Sequence, residues 1–207
     1  MSAAYTNVVG DEIAEYIINK RYDPSNVTLI GHSLGAQASG DAGEWYRAKT
    51  GQKLGGIIAL DAAAPLFEGQ PNIDIVDSTD ATNVIGIHTS KGDPSPFKTL
   101  FTGFGFVAPF AHQDLYVNPI RGGSALIGYG HLDLKEREGF DKLRPVGDHG
   151  YAYKLLNRLL NGENVVGFNS GKNLNWNTLN NVTSYSDNIP SNTGKVWDFQ
   201  EKNKQLF

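Results

Sequence analysis

The stretch "NVTLIGHSLGAQASGDAGEWY", residues 26–46, passes from an apolar segment through Gly-His-Ser-Leu-Gly into a train of small residues. Val27, Thr28, Leu29 and Ile30 have the composition of a short buried strand, and Ala36, Ala38, Ala42 and Trp45 recur in a pattern compatible with a helix over 34–47. The five letters G-x-S-x-G arise often by chance. Set between a strand and a helix, they predict a nucleophile elbow: a strained turn that stands the Ser33 hydroxyl above a sheet edge, with Gly31 and Gly35 leaving room for strand and helix to approach.

On either side of this stretch the chain keeps alternating between helix and strand patterns. Residues 7–20 place Val9, Ile13 and Ile17 at i, i+4 and i+8, an amphipathic helix, and "YDPSN" reads as the turn after it. "GGIIALD" (55–61) and "NVIGIHT" (83–89) are two further buried-strand runs. The alternation predicts an α/β fold, a mostly parallel sheet with helices on both faces. "PSPFKTLFTGFGFVAPF" (94–110) reads as an apolar loop, residues 124–148 as an irregular span, and "YAYKLLNRLL" (151–160) as a helix starting directly after His149. Beyond residue 161 the chain is rich in Asn, Ser and Gly and predicts loops and short strands.

Composition narrows the function classes. The 207 residues, 40% hydrophobic and 19% charged, suit one globular domain with a core. A formal charge of -4 gives no basic footprint, which argues against nucleic acid as a partner. No apolar run has the length to span a bilayer, and residues 1–16 lack the charged start and apolar centre of a signal peptide. The absence of cysteine excludes disulfides and thiolate metal sites.

An exposed serine needs a base to take its proton and a carboxylate to orient that base. Of five histidines, His32 lies inside the elbow with its side chain directed away from the serine, and His88 closes a strand, where a structural role is the better reading. His112 and His131 sit in irregular segments. His149, in "GDHGYAYKLL", lies late in the chain at a loop-to-helix junction, where a triad of this order places its base. Asp61 ends the strand "GGIIAL" and precedes the turn "AAAP", which sets its carboxylate beside Ser33.

These segments resemble the pancreatic-lipase family of α/β hydrolases, which includes hepatic and lipoprotein lipases, phospholipases A1 and the non-catalytic insect yolk proteins. The likeness rests on "NVVGDEIAEYI", "YDPSNVTLIGHSLGAQASGDAG", "IIALDAAAPLF", "DSTDATNVIGIHTS", "GFGF", "AHQDLYVN" and "DHGYAYKLL", in family order over most of residues 5–160. It implies an α/β-hydrolase fold in a single catalytic domain over 1–207, with a lid-like segment at about 121–148 and the N-terminal strands absent. It implies a serine carboxylic-ester hydrolase, triacylglycerol lipase or phospholipase A1, acting at a lipid–water interface through Ser33, Asp61 and His149 with the Leu34 amide as oxyanion donor, and secretion. The alternative is a lipid-binding protein of the yolk type, although such proteins have lost the nucleophile.

The family's proline after the acid is replaced by Ala62, its cysteines are missing, and its early strands and second oxyanion donor are not in this sequence. No cofactor is required for the chemistry. Asn72, the Ile75 carbonyl, Asp77 and Asp80 match the spacing of a structural Ca²⁺ site in the family, apart from Asn72, which stands where the family has an acid. A solvated acidic loop would read the same way.

Overall fold

A computed structural model of the chain describes residues 5–64, 67, 75–90, 104–118, 120–122, 125–127, 144–166, 173–179 and 195–199. Helix α1 (Thr6–Lys20) leads by way of a 3₁₀ turn (Pro24–Asn26) to β1 (Thr28–His32), α2 (Leu34–Thr50), β2 (Leu54–Leu60), β3 (Ala81–His88) and β4 (Gln113–Val117). Two antiparallel pairs follow, β5 (Ile120–Gly122) with β6 (Ala125–Ile127) and, beyond α3 (Arg144–Leu160), β7 (Val165–Val166) with β8 (Asn173–Leu174). A single turn, α4 (Trp176–Leu179), and the strand β9 (Lys195–Phe199) complete the described elements. The main sheet runs β1-β2-β3-β4-β9 with every pairing parallel, as the alternating pattern predicts.

Successive side chains of a strand point to opposite faces, so each central strand feeds two cores. Ile57 and Ala59 of β2 join Val84 of β3 and Ala36 of α2 on one face. Ile58, Leu60, Ile85, Ile87, Leu115 and Val117 meet Tyr151, Leu155, Leu156 and Leu159 of α3 on the other. The i, i+4, i+8 spacing of Tyr151, Leu155 and Leu159 draws one stripe down α3, and each buried Leu contributes about 1.5–3 kcal/mol of transfer free energy. Strand β1 is an edge of the sheet among the described residues, and Ile30 on it remains 46% exposed.

Four details differ from the sequence reading. The buried stripe of α1 is Thr6, Gly10, Ala14 and Ile17, because Gly10 lets α1 approach α2 at Ala38, Asp41 and Ala42; Val9 and Ile13 are half-buried beside it. Strand β4 escaped the hydrophobic pattern because it opens on two polar residues, Gln113, which is half-buried, and Asp114, which is fully buried inside the sheet. Helix α3 begins at Arg144, so His149 lies within it and does not precede it. The span read as irregular also holds β6. Of the lid-like segment 121–148, residues 123–124 and 128–143 lie outside the described residues. No described helix is long and apolar enough to cross a membrane.

Candidate active site

The site lies at the C-terminal ends of β1, β2 and β3. Ser33 follows β1 with φ 59° and ψ -122°, a strained conformation for a residue with a Cβ, and then caps α2. The ladder holds it there: its N–H donates to Leu60 O at 3.0 Å, and its carbonyl accepts from Ala36 and Ala63. A Cβ on Gly31 would lie 2.1 Å from the Gly35 carbonyl oxygen, so the first glycine of the motif is obligatory. The second is not needed for room, since a Cβ on Gly35 would meet nothing within 4 Å. That corrects the paired role expected of the two glycines. The close approach uses the Gly35 carbonyl and the missing side chain of Gly31.

The N-terminus of α2 carries no side-chain cap, and Leu34 N–H is one of the helix-start amides that have no intrahelical acceptor.

Asp61 leaves β2 with φ 43° and is fully buried. Its Oδ1 accepts the N–H groups of Thr89 (2.7 Å) and Ser90 (2.9 Å), and its Oδ2 accepts the Ser90 hydroxyl and His149 Nδ1–H (2.6 Å). Burial alone would push its pKa up. The hydrogen bond and charge of His149, followed by Ser90 Oγ–H and Thr89 N–H, outweigh burial and hold the carboxyl below its ordinary value. With Nδ1 of His149 committed to Asp61, a neutral ring keeps its lone pair on Nε2. Gly105 closes the site from below: a Cβ there would lie 2.5 Å from the Asp61 carboxylate, and its N–H donates to Ser90 Oγ at 3.0 Å.

His149 is 12% exposed, between the rings of His32 (centroids 4.5 Å apart) and Phe104 (5.2 Å). His32 Nε2 donates to the main-chain oxygen of His149 at 2.9 Å. Burial, and then the neighbouring His149, lower its pKa from the usual histidine value, which favours a neutral ring. His88 is buried against Asp114, and His112 Nδ1 accepts Val84 N–H. His131 lies outside the described residues. Phe106 and Phe110 of the apolar loop are core residues, while Phe97 and Phe101 fall outside the described part.

Residue types alone did not single out Ser90, Gly105 or Gln37. Gln37, buried in α2, donates to Ala63 O and accepts Val76 N–H, tying the turn after Asp61 to the segment before β3. Ser90 carried one signal, a hydroxyl just past the C-terminal end of a buried strand. Of the candidate cation ligands, Asp77 and Asp80 share one turn, in which Asp80 Oδ2 accepts Asp77 N–H (2.8 Å) and Asp77 Oδ1 accepts Thr79 N–H (2.6 Å). Ile75 precedes this turn, and Asn72 lies outside the described residues. Among the described residues, no group of three or more His, Asp or Glu side chains is placed to hold a metal ion.

The family described as Lipase matches residues 1–146. The chain is 40% identical over 115 residues to a pancreatic triacylglycerol lipase of Ictidomys tridecemlineatus, covering 54% of this chain and 23% of the relative. It is 42% identical over 117 residues to pancreatic lipase-related protein 2 of Bos taurus (55% and 23%), and 39% identical over 133 residues to hepatic triacylglycerol lipase of Bos taurus (62% and 25%). The matched part spans about a quarter of the length of these relatives.

Proposed function

This chain belongs to the lipase family, and on that premise we propose that it carries the catalytic centre of a serine carboxylic-ester hydrolase acting on lipids, a triacylglycerol lipase or phospholipase A1. The observation that carries the reading is the His149 Nδ1–Asp61 Oδ2 hydrogen bond, 2.6 Å long, at the sheet edge where Ser33 holds its strained turn. Ser33 Oγ attacks the ester carbonyl as His149 Nε2 takes its proton, and Asp61 stabilises the imidazolium. The tetrahedral oxyanion accepts from Leu34 N–H. Its collapse breaks the ester C–O bond, the alcohol leaves with the proton from His149, and water, deprotonated by His149, then frees the acyl group from Ser33.

The names of the relatives support triacylglycerol as substrate; reaction at a lipid–water interface and an extracellular location are part of the same proposal. The residues around 121–148 would act as the lid. The turn holding Asp77 and Asp80 offers hard oxygen donors of the kind Ca²⁺ takes, and the Ile75 carbonyl and Asn72 would complete the set. Bound there, the ion would brace the loop leading into β3 and take no part in the chemistry.

The test is capture by a fluorophosphonate with the adduct mapped to Ser33, followed by hydrolysis of emulsified triacylglycerol and of phospholipid vesicles over a series of acyl lengths. Labelling at Ser33 with preference for long acyl chains is expected. A folded chain that binds lipid without being labelled would make it a lipid carrier on the same fold.

A further inference from the structure

Behind Asp61 lies a second histidine–carboxylate pair that the proposed chemistry does not use. His88, the last residue of β3, is 1% exposed, and Asp114 of β4 is fully buried. His88 Nε2 lies 2.8 Å from Asp114 Oδ1, and His88 Nδ1 lies 2.9 Å from the carbonyl oxygen of Phe106. A carbonyl oxygen can only accept, so Nδ1 carries a proton. Asp114 already accepts Phe110 N–H at Oδ1 (3.2 Å) and Ala111 N–H at Oδ2 (3.0 Å), the environment of an ionised carboxylate, so Nε2 also donates. With both ring nitrogens donating, the ring is an imidazolium. Tyr116 stacks flat on it, with centroids 4.2 Å apart and planes 5° apart, an arrangement that suits a cation over a π-face. Gly86 makes the pair possible, because a Cβ there would lie 2.7 Å from Asp114 Oδ1.

The two segments that this ring joins both end on Asp61. On one side, His88 is followed by Thr89 and Ser90, whose N–H groups fill Asp61 Oδ1. On the other, Phe106, whose carbonyl His88 holds, donates its own N–H to Ala62 O at 2.9 Å and follows Gly105, which packs on the Asp61 carboxylate. We infer that His88 is a buried imidazolium, neutralised by Asp114, that acts as a positioning residue: it clamps β3 to the 104–106 segment and so fixes the Asp61 carboxylate toward His149. The inference rests on the reading of Asp61 and His149 as catalytic partners. The titratable groups facing His88 among the described residues are Asp114 and Tyr116 of β4 and Asp61 at the end of β2. Burial opposes its charge, but the hydrogen bond and charge of Asp114, the Phe106 carbonyl and the charge of Asp61 outweigh burial and raise its pKa.

The experiment is nitrogen-15 NMR of the full chain labelled at histidine, between pH 5 and 9, on wild type, Asp114→Asn and His88→Gln, which can donate from one end only. In wild type, both His88 ring nitrogens should keep imidazolium shifts well above pH 6.5, and the proton between His149 and Asp61 should give a sharp downfield resonance. Asp114→Asn should return His88 to a neutral ring at pH 7. Both variants should broaden or shift the His149–Asp61 proton and lower the fluorophosphonate labelling rate, per folded molecule, by tenfold or more. An unprotonated His88 nitrogen in wild type at pH 7 overturns the inference. So does a His149–Asp61 resonance that is unchanged in a folded Asp114→Asn chain, since a merely structural pair would lower only the melting temperature. A wild type that shows the expected resonances but is not labelled at Ser33 refutes the hydrolase reading and leaves the NMR result to decide the clamp.

Discussion

His32 Nε2 lies 2.9 Å from the main-chain oxygen of His149, which ties the residue before Ser33 to the backbone of the proposed base. Removing that donor leaves the His149 carbonyl without this partner and lets the first turns of α3 drift from the sheet edge. A lost hydrogen bond of about 1.4 kcal/mol corresponds to about tenfold in rate. His32→Ala should therefore lower kcat about tenfold with little change in KM, and His32→Gln, which keeps a donor, should recover most of it. Equal kcat for His32→Ala and wild type, measured per labelled site, would dissociate His32 from the base.

The two glycines of the elbow should behave oppositely. A Cβ at Gly31 meets the backbone of Gly35 at 2.1 Å, an overpacking that costs about 1–3 kcal/mol or more, and the turn must open to relieve it. At Gly35 the space is open and the residue is helical, so alanine should stabilise by up to about 1 kcal/mol. Denaturant melts of Gly31→Ala and Gly35→Ala decide this, and similar losses in both would contradict the assigned contacts.

Ser33→Ala should abolish fluorophosphonate capture and lower kcat by about 10⁶-fold, the loss found when a triad nucleophile is removed. Hydrolysis that survives the substitution would place the nucleophile elsewhere.

Asp61 carries a pH signature. Its folded pKa is depressed below the unfolded value of about 3.9, so its contribution to stability is present above that value and is lost as pH falls through the folded pKa. Wild type should thus lose stability more steeply than Asp61→Asn below about pH 4, by at most about 1.36 kcal/mol per pH unit for one proton. Parallel acid-unfolding curves would show that the carboxylate is not held ionised. At neutral pH, Asp61→Asn should cost about 10⁴ in kcat, because the amide favours the wrong histidine tautomer.

If the turn of Asp77 and Asp80 holds Ca²⁺, a hundredfold excess of the ion over Kd adds about 2.7 kcal/mol to stability. Chelation should then lower the Tm of wild type by roughly 5–10 °C and leave Asp77→Ala/Asp80→Ala unmoved. Identical calorimetric traces with and without chelator would leave these carboxylates as turn caps.

Elements whose local chemistry is self-contained can be read from the order of residues alone. An apolar run ending at Gly31-His32-Ser33 must turn sharply, and Ser33 and Asp61 are legible at strand ends, whereas His149, read as preceding a helix, lies inside α3. Apolar runs likewise marked β2 and β3, since strands buried on both faces need little polar content. Polar residues buried by long-range pairing could not be read in this way. Asp114 looks like a loop residue until His88, 26 positions before it, supplies a partner, so β4 is hidden in the sequence. The buried stripe of α1 was also set by packing, since Gly10 contributes nothing to a hydrophobic pattern but lets α1 approach α2. Ser90, Gly105 and the charge on His88 belong to the tertiary structure alone. Each acts through a hydrogen bond or contact to a residue distant along the chain, and a buried polar atom finds its partners only once the sheet has brought those segments together.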